Sequence, residues 1–204
     1  MQKGLSPFLI SLTTIFFVGF LQAQVVVPSS CIPRPFDNTD FNLPATSNST
    51  YQGNGLFRLT PNLNTQGGAA WYRRRLDMRV NFRIAVELYL GASDAGADGI
   101  AFVLQNLDTG QGSTGGGLGY GGGAPISPSM AIEFDTWTNG GADPATGEDH
   151  IAFVTNGNTN TMPLAADITL VDNLENGNYH SVVISWDPDT QVLDYEFTHS
   201  NGTI

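Results

Sequence analysis

Glu133, Asp135, Asn139, Asp143 and His150 place oxygen and imidazole donors in one short stretch of otherwise apolar, strand-like sequence, A-I-E-F-D-T-W-T-N-G-G-A-D-P-A-T-G-E-D-H-I-A-F-V over residues 131–154. Side chains on an extended strand alternate faces with a repeat of about 7 Å for every two residues. Glu133, Asp135 and Trp137 therefore share one face, and Ile132 and Phe134 take the other. Two carboxylates beside apolar neighbours repel each other and lose hydration, a cost relieved by a proton or a cation. Asn139 and Asp143 follow in a Gly-rich loop that can fold its oxygens over the strand end, and His150 opens the next apolar run. Hard oxygen donors suit calcium, and imidazole beside carboxylates suits manganese or another first-row metal. The pattern predicts two adjacent ions. A solvated strand edge and an acidic turn would explain a lone E-x-D, but not five donors gathered this closely.

The elements that must position these donors read as strands. Residues 55–60 alternate Leu56, Arg58 and Thr60 against Phe57 and Leu59, and residues 69–72 continue the two-residue period. Over residues 82–90, Phe82, Ile84, Val86, Leu88 and Leu90 fall on one face, with Arg83, Ala85, Glu87 and Tyr89 opposite, as in a half-buried antiparallel strand. Residues 99–104 form a fully apolar run suited to a central strand, and a Gly-rich loop over 110–123 separates it from a strand over 130–137. Such a loop reads equally as a surface that lets backbone approach a ligand or as a disordered connector. Residues 179–186 and 192–197 flank Asp187-Pro188-Asp189-Thr190, a turn signal that predicts a hairpin. With no sustained helical period, the architecture expected is an all-β sandwich.

The N-terminus carries Lys3, an apolar run over residues 9–21 and Leu21-Gln22-Ala23 at a small-residue cut, the pattern of an export signal peptide over residues 1–23. The run is shorter than the roughly 20 apolar residues of a membrane span, so the mature chain, residues 24–204, is expected to be secreted or on the cell surface, without membrane insertion. Its length suits one large β domain. Lys3 is the only lysine and the net charge is −11, a balance that disfavours nucleic acid and anionic membrane and fits cation binding. Cys31 stands alone, so no internal disulfide is expected. Asn201-Gly202 is a hairpin turn signal followed only by Thr203 and Ile204, so the sandwich is expected to be C-terminally incomplete.

The run E-F-D-T-W-T-N, then D-P, then D-H-I-A-F resembles the metal-binding stretch of legume-type (L-type) lectins, in their secreted bacterial variety. Gly55-Leu56-Phe57-Arg58-Leu59-Thr60, Gly68-Ala69-Ala70-Trp71-Tyr72, Ala97-Asp98-Gly99-Ile100-Ala101-Phe102 and Gly115-Gly116-Gly117-Leu118-Gly119 resemble further blocks of that family, in its order. The resemblance runs from about Gly55 to Phe197 and implies a concanavalin A-like jelly-roll β-sandwich that binds glycans or glycoconjugates through calcium and a transition metal. It implies that Glu133 and His150 hold the transition metal and that Asp135 and Asp143 bridge both ions. Asn139 and the Trp137 carbonyl complete the calcium shell. It further implies a sugar held by the Asp98 carboxylate after a cis Ala97-Asp98 peptide, the Gly116 backbone N–H, the Asn139 amide and the Trp137 ring. Self-association is compatible with this reading.

Two other classes compete. Jelly-roll glycoside hydrolases of the laminarinase type show E-x-D-x-x-E, and here Thr138 stands where the second acid belongs, so retaining hydrolysis lacks its proton donor. The expectation is therefore a binding protein and not an enzyme. A structural or adhesive module that has lost sugar binding is the third reading, against which Asp98, Gly116 and Asn139 argue. His180 and His199 have no spaced ligand partner and read as surface or packing residues, and Arg73-Arg74-Arg75 as a solvated strand end.

Overall fold

A computed structural model of the chain describes residues 10–12, 23–26, 36–107, 110–141, 143–144, 149–159 and 168–202. Cys31, Ala142, most of the expected leader and residues 203–204 lie outside them. In chain order the strands are β1 (Ile10–Leu12), β2 (Ala23–Val26), β3 (Phe41–Asn42), β4 (Thr50–Gly53), β5 (Leu56–Arg58), β6 (Trp71–Tyr72), β7 (Arg75–Leu76), β8 (Phe82–Leu88), β9 (Gly99–Gln105), β10 (Ser129–Asp135), β11 (His150–Thr155), β12 (Ile168–Leu170), β13 (His180–Asp187) and β14 (Val192–Thr198). They form two six-stranded antiparallel sheets, β12-β11-β10-β9-β1-β7 and β14-β13-β8-β2-β5-β4, beside the short pair β3-β6. Two facing antiparallel sheets are the expected sandwich.

Alternation along the strands sorts the core into two layers. Ile100, Phe102, Leu104, Ile132, Phe134 and Ile151 of the first sheet pack between the sheets against Val86, Leu88, Val182, Ile184 and Phe197 of the second. The intervening residues Ala101, Val103, Ala131, Ala152 and Val154 form a second buried cluster on the outer face of the first sheet, capped by Trp71, Leu118, Tyr120 and Ile126. Every residue of β9 is buried as a result, which is why its sequence is apolar without alternation. Each apolar side chain so buried contributes about 1.5–3 kcal/mol.

The cap on that outer face is the glycine loop. It is ordered: Gly112 N–H donates to the Gly119 carbonyl at 2.5 Å, Gly119 N–H to Ser113 at 2.7 Å, and Gly121 N–H to Gly117 at 2.7 Å, around a 3-10 turn at Gly115–Gly117. Trp71 Nε1–H donates to the Gly110 carbonyl at 2.7 Å and anchors the loop from the sheet side. Close approach requires glycine at 112, where a Cβ would stand 2.6 Å from the Tyr120 carbonyl carbon. The loop is therefore not a disordered connector but is packed on the sheet.

β13 and β14 form the expected hairpin, with the Asp187 carboxylate accepting the Asp189 N–H at 2.8 Å within the turn. Ile10–Leu12, inside the expected leader, pairs with β9 and β7.

Candidate functional site

β10 carries the site on the face opposite Ile132 and Phe134. Small neighbours make room: Glu133 lies in register between Ala101 on β9 and Ala152 on β11, and Asp135 has Gly99 on one side and the donor His150 on the other. Glu133, Asp135 and His150 are all buried. β10 ends at Asp135, where the Asp135 carboxylate accepts the Trp137 N–H at 2.9 Å and the Asp98 carbonyl accepts the Thr136 N–H at 3.1 Å. Trp137 therefore lies beyond the strand whose face it was expected to share, and it is 46% exposed. The loop then turns back, as its glycines suggested. Asp143 is buried, and its carboxylate accepts the Asn139 N–H.

Asp135, Asp143 and His150 are brought together, with ligand atoms all within 4.8 Å of one another. Glu133 stands two residues back on the same face, where the Tyr120 hydroxyl donates to its Oε1. Burial pushes the Glu133 carboxyl up to about 7, with the Tyr120 hydrogen bond opposing and the Asp143 charge adding. Burial likewise lifts Asp135 well above the ordinary carboxylate range, the Trp137 N–H opposes, and Asp143, Glu133 and Asp98 add their repulsion. A cluster of acids held up by burial and by one another gains from a cation. Two carboxylates and an imidazole are ligands that calcium and a first-row metal accept. Residues 145–148 lie outside the described residues.

The second half of the site sits on the loop before β9. Ala97-Asp98 is a cis peptide, as the resemblance implied, and Asp98 is 8% exposed. Burial raises the Asp98 carboxyl, the Asn139 side-chain hydrogen bond lowers it, and Asp143 raises it further. The glycine loop closes over this pair. A Cβ on Gly116 would stand 2.8 Å from Asn139 Oδ1, and one on Gly115 would stand 3.7 Å from Asp98 Oδ2. Asp98, Gly116 and Asn139 thus converge from three separate loops. Beside them opens a cleft of about 600 Å³ lined by Ser113, Thr114, Gly116, Gly117, Gly122, Asn139, Gly141 and Thr159.

Sequence reasoning missed three groups. Tyr120, fully buried against Glu133, was hidden inside a run of glycines. Thr159 lines the cleft from a loop whose sequence has no motif. Half-buried Asp149 and buried Glu175 form a carboxyl pair behind the site: desolvation raises both, and the Asp149 charge raises Glu175 further. The D-H dipeptide was the available signal for Asp149, and nothing in the sequence pointed to Glu175.

A family model described as the legume lectin β-barrel domain matches residues 33–204. The chain is 29% identical over 210 residues to a lectin of Lens culinaris subsp. tomentosus, covering 95% of this chain and 71% of that one. It is 31% identical over 173 residues to the pesticidal crystal protein Cry22Aa of Bacillus thuringiensis, covering 76% of this chain but only 23% of the crystal protein. Among solved structures, the basic winged bean lectin with Tn-antigen superposes with a TM-score of 0.67 at 20% identity, covering 90% of this chain and 77% of that one, a likeness of fold.

Proposed function

The chain belongs to the legume (L-type) lectin family, and from that premise we propose that it is a secreted, metal-dependent carbohydrate-binding domain and not an enzyme. The observation that carries this reading is the convergence of Asp98, Asn139 and the Gly115–Gly116 backbone beside the buried Asp135, Asp143 and His150 group, to which Asn139 is joined by its hydrogen bond to Asp143.

In this reading Glu133 and His150 would hold a transition metal, Asp135 and Asp143 would serve both it and calcium, and Asn139 and the Trp137 carbonyl would contribute to the calcium site. The donor set fits at Asp135, Asp143 and His150, three buried residues whose ligand atoms lie within 4.8 Å of one another. The cations neutralise the acids and fix the 137–143 loop; the chain's own groups recognise the ligand. Asp98 accepts hydroxyl hydrogen bonds, Gly116 N–H and the Asn139 amide donate, and the exposed Trp137 ring covers the apolar face of a sugar. Ordering these groups beforehand lowers the entropic cost of binding a hydroxyl-rich ligand.

Export rests on the sequence of residues 1–23, and none of the described helices is long and apolar enough to cross a membrane. Cleavage after Ala23 would vacate the β1 position between β9 and β7. N-terminal sequencing of the secreted protein tests it: a chain beginning with Met1 in the medium overturns the leader.

The binding reading is tested on an array of mannose-, glucose- and galactose-terminated glycans, with and without EDTA. Retention that EDTA abolishes and calcium with manganese restores is the expected result. Retention indifferent to EDTA overturns the metal dependence, and hydrolysis of a β-glucan overturns the assignment as a lectin.

A further inference from the structure

His180 and His199, one at the start of β13 and the other just beyond β14, are buried with ring centroids 4.5 Å apart. Each ring is held at both nitrogens. His180 Nε2 lies 2.9 Å from the Leu174 carbonyl and accepts the Ser200 N–H at Nδ1, at 3.2 Å. His199 Nε2 lies 3.0 Å from the Asn173 carbonyl and accepts the Asn201 N–H at Nδ1, at 3.3 Å. A carbonyl beside Nε2 calls for a proton there, and an N–H beside Nδ1 calls for a lone pair. On His180 the neutral Nε2–H form satisfies both contacts; His199 Nε2 also meets the Asn176 Nδ2 amide at 3.2 Å, so a carbonyl and an amide compete for that nitrogen.

The segment these rings grip is the one that backs the Asp98 loop. Asn173 Nδ2 donates to Asp94 Oδ1 at 2.6 Å, and Gly177 N–H donates to the Gly91 carbonyl at 2.7 Å. A Cβ on Gly96 would stand 3.2 Å from Glu175 Oε1, so that side chain lies directly against the loop. Leu174 N–H is fixed from behind by the Asp149 carboxylate at 2.6 Å.

We propose that His180 and His199 form a proton-sensitive clasp that positions the Asp98 loop through residues 173–177, and that mild acid releases it. A proton added at His180 Nδ1 would set a donor against the Ser200 N–H that it now accepts. It would also place a positive charge in a buried site beside a second imidazole, where two charges repel. Burial, with the His199 charge adding to it, holds the His180 imidazole below its ordinary value. The folded chain therefore binds fewer protons at His180 than the unfolded chain below about pH 6.5, so the stability it supplies is present above that pH and lost as pH falls. The other titratable groups around the segment are Asp172, which accepts from Asn201 Nδ2 at 3.2 Å, and Asp94, Asp149 and Glu175 on its loop side. Glu87 of β8 is in register with Ser181, the residue after His180, so it lies on the opposite face of the sheet.

The clasp stands on these contacts alone; its effect on ligand binding rests on the assignment of Asp98 to the sugar site. Amide hydrogen exchange of the whole chain, with calcium and manganese in excess, tests it at pH 7.5 and 5.5 after correction for intrinsic rates. Residues 91–98 should exchange about tenfold faster at pH 5.5, the change expected of one unit of proton linkage, while residues 99–105 keep their rate. His180→Gln, whose amide can still donate to the Leu174 carbonyl, should remove the difference between the two pH values, and His199→Gln, which leaves His180 to titrate without a second imidazole beside it, should reduce it; if His180→Gln does not fold, the wild type and His199→Gln decide. An unchanged wild-type rate, an acceleration that persists in His180→Gln, or one undiminished in His199→Gln, overturns the clasp. The glycan array separates the two readings: an exchange difference with no glycan retained at either pH keeps the clasp and removes the lectin assignment.

Discussion

Asp135 and His150 stand opposite each other in register on β10 and β11, and Asp143 closes the group from the following loop. Without cations the acids repel one another, and a bound cation would relieve that repulsion. Asp135→Asn should therefore change sign with conditions. In EDTA it should raise Tm, because one buried acid is gone. The wild type should gain about 2.7 kcal/mol at a free ion concentration a hundred times Kd, roughly 5–10 °C for a chain of this size, and the variant should gain little. Thermal melts with EDTA and with calcium plus manganese check both halves; a variant that melts lower than wild type in EDTA refutes the repulsion.

The Glu175 carboxyl is pushed up to about 9 by burial first and by Asp149 next. An acid raised in the folded state supplies stability that is full below its unfolded value near 4.3 and is lost as pH rises toward the folded value. Glu175→Gln, neutral throughout, should melt higher than wild type at pH 8 and lose that advantage by pH 5. Melting curves across this range decide it, and a gap that widens toward acid would reverse the sign.

Gly116 and Gly141 both line the cleft, but they differ in what a methyl group meets. At 116 the added carbon stands 2.8 Å from Asn139 Oδ1, and at 141 nothing lies within 4 Å. Gly116→Ala should weaken glycan retention by tenfold or more, a loss of about 1.4 kcal/mol, by displacing Asn139. Gly141→Ala should bind as wild type. Equal retention by the two variants would remove Gly116 from the site.

Trp137 is 46% exposed beside buried ligands. Replacing it with Ala should leave Tm nearly unchanged, within about 0.5 kcal/mol as for an ordinary surface position, while lowering glycan retention. Retention equal to wild type would leave its carbonyl as its only role.

Much of this was legible because it follows from alternation. The faces of β8 and β10 were readable from Phe82 to Leu88 and from Ala131 to Asp135, since one side of each strand is wet or polar and the other is core. β9 offered no alternation because the glycine loop buries its outer face too, so composition alone identified it. The acids and His150 were visible as types that do not belong among apolar residues. What was not visible came from tertiary contact: Tyr120 meets Glu133 only once the loop folds onto the sheet, and Asp149 meets Glu175 across 26 residues of chain. The reach of the strand was overread at Trp137, because the Asp135 carboxylate captures the next N–H but one and ends the ladder there.

β10 is bound by hydrogen bonds on both sides, and its odd and even positions serve different ends: Ile132 and Phe134 fill the space between the sheets, while Glu133 and Asp135 face the ligand loops. A slip of one residue in this strand would exchange the two sets, driving acids into the apolar interior and turning Phe134 toward Asp143 and the glycine loop. Substitutions at Glu133 or Asp135 can therefore separate binding from folding, whereas a single insertion or deletion between Ser129 and Asp135 cannot. In a lineage that gave up its ligand, the acids would be free to drift while the spacing of the strand would still be held by the core.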